Sequence, residues 1–140
     1  MKRLSLFVGI FFSIALNGCS STDSNNFDLD VSAPSSISGK TIEFTISSGA
    51  GVFPSSGTWT VVISNTENQY AVTGDTVNTA NSAGLFTYSA TGNKGTVYFY
   101  DSAPGKGHLY LTFTSSNSGT YTADAVNSSS AYQSGTFVEL

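Results

Sequence analysis

Charge is scarce in this chain. Asp, Glu, Lys and Arg make up 10% of its 140 residues, against about 25% in an ordinary soluble domain. Nine acidic side chains face five cations, giving a formal charge of −4 and a pI near 4.5. A nucleic-acid binder needs a basic stripe to neutralise phosphates, so nucleic acid is excluded as an electrostatic partner. Cysteine occurs once, which rules out a disulfide within the chain and a Cys-rich metal site. Histidine also occurs once, which rules out a multi-histidine metal centre. A length of 140 residues argues for one domain.

The chain opens with a short basic start, Lys2-Arg3, and then an uncharged apolar run from Leu4 to Leu16. That run fits the apolar core of a secretory signal peptide and falls short of the roughly 20 residues of a membrane span. It ends in Leu16-Asn17-Gly18-Cys19-Ser20, and here the chain resembles a bacterial lipoprotein precursor. Leu16, Gly18 and Cys19 match that family's cleavage motif, while Asn17 stands where the family usually has Ala, Ser or Thr. The resemblance covers only the leader. It implies cleavage before Cys19, a diacylglycerol thioether on the Cys19 sulfur and an acyl group on the new amine. One acyl chain binds a membrane only marginally and several bind almost permanently. Ser20, in place of an Asp, implies the outer membrane of a two-membrane bacterium, facing the periplasm or the cell surface. Loss of Lys2 and Arg3 takes the formal charge from −4 to −6 and leaves no arginine. The lipid is then the expected membrane contact, because anionic head groups repel such a surface.

The organisation expected is a signal peptide over 1–18, the lipidated Cys19 with a flexible tether over 19–36, and a soluble β domain over 37–140. The tether is polar and acidic and contains Pro34. Its Asp23, Asn25, Asp28 and Asp30 lack the central Gly and distal Glu of a calcium loop, so no metal is assigned.

From Gly39 onward apolar residues alternate with Thr and Ser at period two, the pattern of half-buried strands. Ile42, Phe44 and Ile46 share a face, as do Trp59, Val61 and Ile63. Tyr70 and Val72, Phe86 and Tyr88, Val97 and Phe99, Leu109 to Phe113, Tyr121 to Ala125, and Phe137 mark six more strands. Short gaps leave no room for parallel crossovers. The expected fold is all-β: an antiparallel up-and-down barrel of about eight strands, with a two-sheet β-sandwich as the alternative. Phe44, Trp59, Tyr70, Phe86, Tyr88, Phe99, Phe113, Tyr121 and Phe137 form the inward aromatic set and are expected to fill much of the barrel. A small-Gly-x-aromatic grammar recurs, as in Ser118-Gly119-Thr120-Tyr121 and Ser134-Gly135-Thr136-Phe137, and reads as glycines that end turns. Gly57-Thr58-Trp59 is similar to the Gly-x-Trp of lipocalin and avidin relatives, which implies barrel geometry alone. In those families the motif lies on the first strand, whereas here a strand precedes it. Outward faces of Thr, Glu, Ser and Asp argue against a membrane-spanning barrel.

Two candidate binding sites follow. A register pairing Phe99 with Leu109 sets Tyr100 beside His108 and Tyr98 beside Tyr110, an outer aromatic patch suited to a sugar, a peptide or a protein. Ordinary cross-strand pairing accounts for the same residues. Val52 and Phe53, in the Gly/Ser-rich stretch 47–56, either cap a barrel mouth and touch a ligand or plug the end of the core. Asp101, Ser102 and His108 can be drawn as a hydrolytic set, but no nucleophile elbow supports it, so no catalytic residue is assigned. No cofactor is implied. The expected function is a non-enzymatic binding or interaction module whose partner is an envelope protein or a glycan. The alternatives are a carrier of a small apolar ligand inside the barrel and, last, a hydrolase.

Overall fold

Thr and Ser between the apolar positions give each strand one face that tolerates water and one that does not. The computed structural model describes residues 30–74, 82–102 and 105–140. These form β1 (Thr41–Ala50), β2 (Gly57–Ile63), β3 (Gln69–Gly74), β4 (Ser82–Thr91), β5 (Lys94–Asp101), β6 (Lys106–Phe113), β7 (Ser118–Ala125) and β8 (Ser128–Glu139). Each strand pairs antiparallel with the next, and β1 pairs with β8 to close a barrel. The barrel therefore holds and the sandwich does not. Closure removes both sheet edges, which would otherwise offer unpaired N–H and C=O groups. Lys40 and Glu139 form an ion pair beside the seam between β1 and β8.

Side-chain parity follows the sequence pattern. Phe44, Phe86, Phe113, Tyr121 and Phe137 are buried, and Trp59, Tyr70, Tyr88 and Phe99 pack against them. The densest cluster lies where β1, β2, β7 and β8 meet. Phe44 stacks on Trp59 at 4.2 Å between ring centroids and meets the edge of Tyr121 at 4.9 Å. Phe113 and Phe137 make a T-shaped pair at 5.0 Å. Each such pair adds about 0.5–1.5 kcal/mol beyond the area it buries.

Two expectations change. β8 starts at Ser128, well before Gly135, and turns Ala131 and Gln133 inward. A serine run has no apolar alternation, so period two could not reveal it. The glycines of the repeated grammar also serve a different purpose. Among Gly57, Gly84, Gly119 and Gly135, only Gly57 has a positive φ. Gly119 and Gly135 lie within β7 and β8, opposite the inward Phe113, Phe137 and Tyr121. They make room for rings on neighbouring strands.

The barrel end that carries the β2–β3 and β4–β5 turns is crossed by the segment before β1. Ile37 is buried there, and Val31 and Ala33, from the stretch read as tether, pack against the core. The Ala33 N–H donates to the Gly92 carbonyl at 2.8 Å, and the Tyr88 hydroxyl donates to the Pro34 carbonyl at 2.9 Å. This end has a floor. At the opposite end the interior reaches the surface beside the β1–β2 connection, where Val52 both lines the core and is exposed.

Candidate functional site

The aromatic set does not fill the barrel. Phe44, Trp59, Tyr121 and Phe137 crowd together where β1, β2, β7 and β8 meet, whereas Val61, Ile63, Val72 and Val97 stand beside the rings of β2, β3 and β5. Valine and isoleucine reach less far than phenylalanine, and a cavity of about 270 Å³ remains among these side chains. Its wall is mainly aliphatic and aromatic, and Ile37 lies at its floored end. This volume is just below the roughly 300 Å³ at which small-molecule pockets begin.

Polar groups enter the cavity at two places. At the first, Asp101 ends β5 and turns inward, continuing the parity of Val97 and Phe99. Its Oδ2 accepts a hydrogen bond from the Tyr70 hydroxyl at 2.8 Å and one from Ser82 Oγ at 3.0 Å. Tyr70 pairs with Gly84, and Gly84 pairs with Asp101. A Cβ at Gly84 would stand 2.8 Å from the Tyr70 oxygen, so the missing side chain lets that hydroxyl reach across β4. Burial, and then the Asp101 carboxylate, hold the Tyr70 phenol well above its usual range. Asp101 is the only ionisable acid or base of ordinary pH among the described residues that line the cavity.

At the second place Gln133, 3% exposed, accepts from the Tyr121 hydroxyl at 3.0 Å and donates to the Pro54 carbonyl at 3.0 Å. Burial pushes the Tyr121 phenol up to about 12, opposed by the Trp59 indole N–H beside it. That indole N–H is itself buried and makes no hydrogen bond of normal geometry.

The link from Gln133 to Pro54 anchors the β1–β2 connection at the mouth. Val52 and Phe53 both line the cavity, with Phe53 packed against the core and Val52 56% exposed. The two sequence readings of this stretch are thus parts of one arrangement: Phe53 covers the core and Val52 sits at the rim. Gly51, with φ +71°, lies so close to Ala131 that a Cβ would meet its side chain at 2.8 Å.

The outer patch exists, in another register. Tyr98 pairs with His108, Phe99 with Gly107, and Thr96 with Tyr110. The expected pairing of Phe99 with Leu109 is therefore two residues off. A slip of two leaves every side chain on its own face, so Tyr98, Tyr100, His108 and Tyr110 still share the outside. Tyr98 meets Tyr100 edge-on at 5.0 Å, and His108 stacks near Tyr110 at 5.7 Å. β7 adds Asp124, which neither candidate site read from the sequence included. Its Oδ1 lies 2.9 Å from His108 Nδ1, and its Oδ2 accepts from the Tyr110 hydroxyl at 3.4 Å. The hydrogen bond between the two phenols raises Tyr98 and lowers Tyr100, with Lys106 helping to lower Tyr100.

The set Asp101, Ser102 and His108 is split by the wall. Asp101 faces inward beside Tyr70, and His108 faces outward beside Asp124. Among the described residues no three metal-ligating side chains come together. Cys19 lies outside the described residues. No protein-family model matches the chain, and searches of curated proteins and of solved structures find no match.

Proposed function

We propose that this chain is a lipid-anchored envelope protein whose lipocalin-like barrel binds a small apolar ligand in its interior. The observation that carries this reading is the cavity of about 270 Å³ behind Val52 and Phe53, walled by apolar side chains and reached by a few fixed polar groups. Such a pairing of apolar wall and sparse polar anchors is what small-molecule sites share. The carrier reading therefore moves ahead of the external interaction module. The leader Leu16-Asn17-Gly18-Cys19 supplies the anchor, and the Thr-rich outer faces suit a barrel in water.

Native mass spectrometry of the full chain released from bacterial membranes tests both parts. The expected result is a retained small molecule and a Cys19 peptide carrying diacylglycerol and an acyl group. The neutral probe 2-naphthol, with eleven non-hydrogen atoms, should change its emission on binding and be displaced by that molecule. An empty barrel that also excludes the probe overturns the carrier reading. An unmodified Cys19 overturns the anchor.

A second reading rests on the exposed rings of Tyr100, Tyr110 and Tyr132 around the His108–Asp124 pair. Rings beside a carboxylate and an imidazole suit a glycan or a protein of the envelope. Loss of partner recovery by a still-folded variant with Tyr98, Tyr100 and Tyr110 changed to Thr would favour it.

A further inference from the structure

We infer that the outer face of β5 to β8 binds a neutral oligosaccharide, laid across the strands along the row Tyr98, His108, Asp124 and Tyr132. The inference rests on the second reading, in which this face is the binding surface, and names the class of partner. It needs nothing from the interior cavity. Register sets the row. Tyr98 pairs with His108, His108 with Asp124, and Asp124 with Tyr132, so one outward side chain from each of four neighbouring strands falls in line. Three strand spacings give it a length of about 14 Å, enough for more than one sugar ring. Beside it runs a second row, Thr96, Tyr110, Thr122 and Ser134, hydroxylated throughout.

Aromatic rings stand at both ends of the row and polar groups in its middle. Tyr132 is 49% exposed, and Tyr110, diagonal to Asp124, is 41% exposed. The C–H face of a pyranose ring stacks on such rings. The Asp124 side chain is 46% exposed, and its donors are His108 Nδ1 at 2.9 Å and the Tyr110 hydroxyl at 3.4 Å. A carboxylate has about four lone-pair sites, so Asp124 keeps acceptor capacity on its solvent side. In the neutral imidazole that carboxylate draws the proton to Nδ1 and leaves Nε2 as a second acceptor. Two acceptors side by side, one of them charged, suit neighbouring hydroxyls of one sugar. The wall is also hollowed here. Asp124 faces Tyr132, but the next residue, Ala125, faces Ser128. The extra residues bend β8, and an open depression lies between Tyr110, Asp124, Val126, Ser129 and Tyr132.

Shape favours a glycan over a protein. A stable protein interface buries about 800 Å² on each side around an apolar centre. This row is one side chain wide and borders a hydroxylated one. An extended peptide would add to a sheet edge, and closure of the barrel leaves no edge here. Charge narrows the glycan. The chain carries a formal charge of −4 and Asp124 stands in the middle of the row, so acidic sugars are repelled and neutral ones are not.

The test titrates the full chain with cellotetraose, chitotetraose and tetragalacturonate at pH 7 and low salt, by calorimetry and saturation-transfer NMR. At least one of the two neutral sugars should bind with a Kd below about 1 mM. Tetragalacturonate should bind at least about tenfold more weakly. Saturation should be strongest at ring C–H protons, as stacking on tyrosine requires. Asp124→Ala should weaken the neutral sugar about tenfold or more, the effect of losing a hydrogen bond to a charged group, and Tyr132→Ala should weaken it as well. No binding of either neutral sugar at about 10 mM, or equal binding of tetragalacturonate, overturns the inference. When neither neutral sugar binds, photo-crosslinking in living bacteria, with a benzophenone side chain in place of Tyr132, separates the causes. An adduct with another protein leaves the second reading standing as protein recognition, and no adduct overturns that reading too. The sugar comparison uses the unaltered chain, so it decides the matter even if a variant fails to fold.

Discussion

At Gly107, on β6, an added Cβ would stand 2.2 Å from the Asp124 carbonyl oxygen and 2.4 Å from the Phe99 ring. Neither can yield cheaply, since one is backbone and the other is wedged in the wall. Gly107→Ala should therefore destabilise the barrel by about 3 kcal/mol or more. Gly92 is the contrast. Its φ is +57° and nothing lies within 4 Å of the missing Cβ. There Gly92→Ala should cost only about 1–2 kcal/mol, the ordinary penalty of a left-handed residue. Urea unfolding of the two variants separates a packing glycine from a conformational one. At this scale the inward aromatics were legible because parity alone places them. Asp101 and Gln133 were not, because alternation assigns a face to a polar side chain only when its apolar neighbours are already registered. Once Val97 and Phe99 point inward, Asp101 must follow; its partners Tyr70 and Ser82 come from strands whose stagger no local pattern encodes.

Elements show the same boundary between local and non-local information. The β5–β6 hairpin was recognisable from its alternation, yet its register was two residues off because outer tyrosines recur at period two. Volume decides the matter. The Phe99 ring needs the empty position at Gly107, and pairing it with Leu109 would set two large side chains against each other inside the wall. On the outside, Tyr98, Tyr100, His108 and Tyr110 then interlock across the hairpin. Changing Tyr98, Tyr100 and Tyr110 together to Thr removes these contacts but retains β-branched strand formers. The expected loss is about 1–3 kcal/mol, from cross-strand pairs worth about 0.2–1 kcal/mol each. Circular dichroism should show the barrel intact, with a lower urea midpoint. A collapse of the β signal at 25 °C would mean that the outer face helps to specify the fold.

For the whole molecule, closure and strand order were readable from short gaps and repeated alternation, whereas the void was not. Counting inward aromatics suggested a filled interior, but the rings pack on one another, Phe44 on Trp59 and Tyr121 and Phe113 on Phe137, and leave a cavity among them. The buried phenols make this fold sensitive to alkali. Tyr121 titrates near 10 when unfolded and about 12 when folded, and Tyr70 is raised as well. Between those values the unfolded chain has lost protons that the native barrel keeps. Their contribution to stability is thus fully present below pH 10 and falls as pH rises towards 12. Urea midpoints measured from pH 9 to 12 should decline through that window, and a flat profile would show that these phenols reach water. The cavity itself is costly to keep. Unfilled apolar space loses packing at about 24 cal/mol per Å³, several kcal/mol at this volume even when the mouth admits some solvent. Filling it should then separate stability from binding. Val97 is buried and lines the void, so Val97→Phe projects a larger side chain into free space. The variant should keep its stability within about 1 kcal/mol or gain slightly, because new contacts offset any strain. It should also bind 2-naphthol at least tenfold more weakly. If Val97→Phe instead unfolds the barrel while the probe never bound the unaltered chain, the interior is a tightly packed core and the binding surface must lie on the outer face.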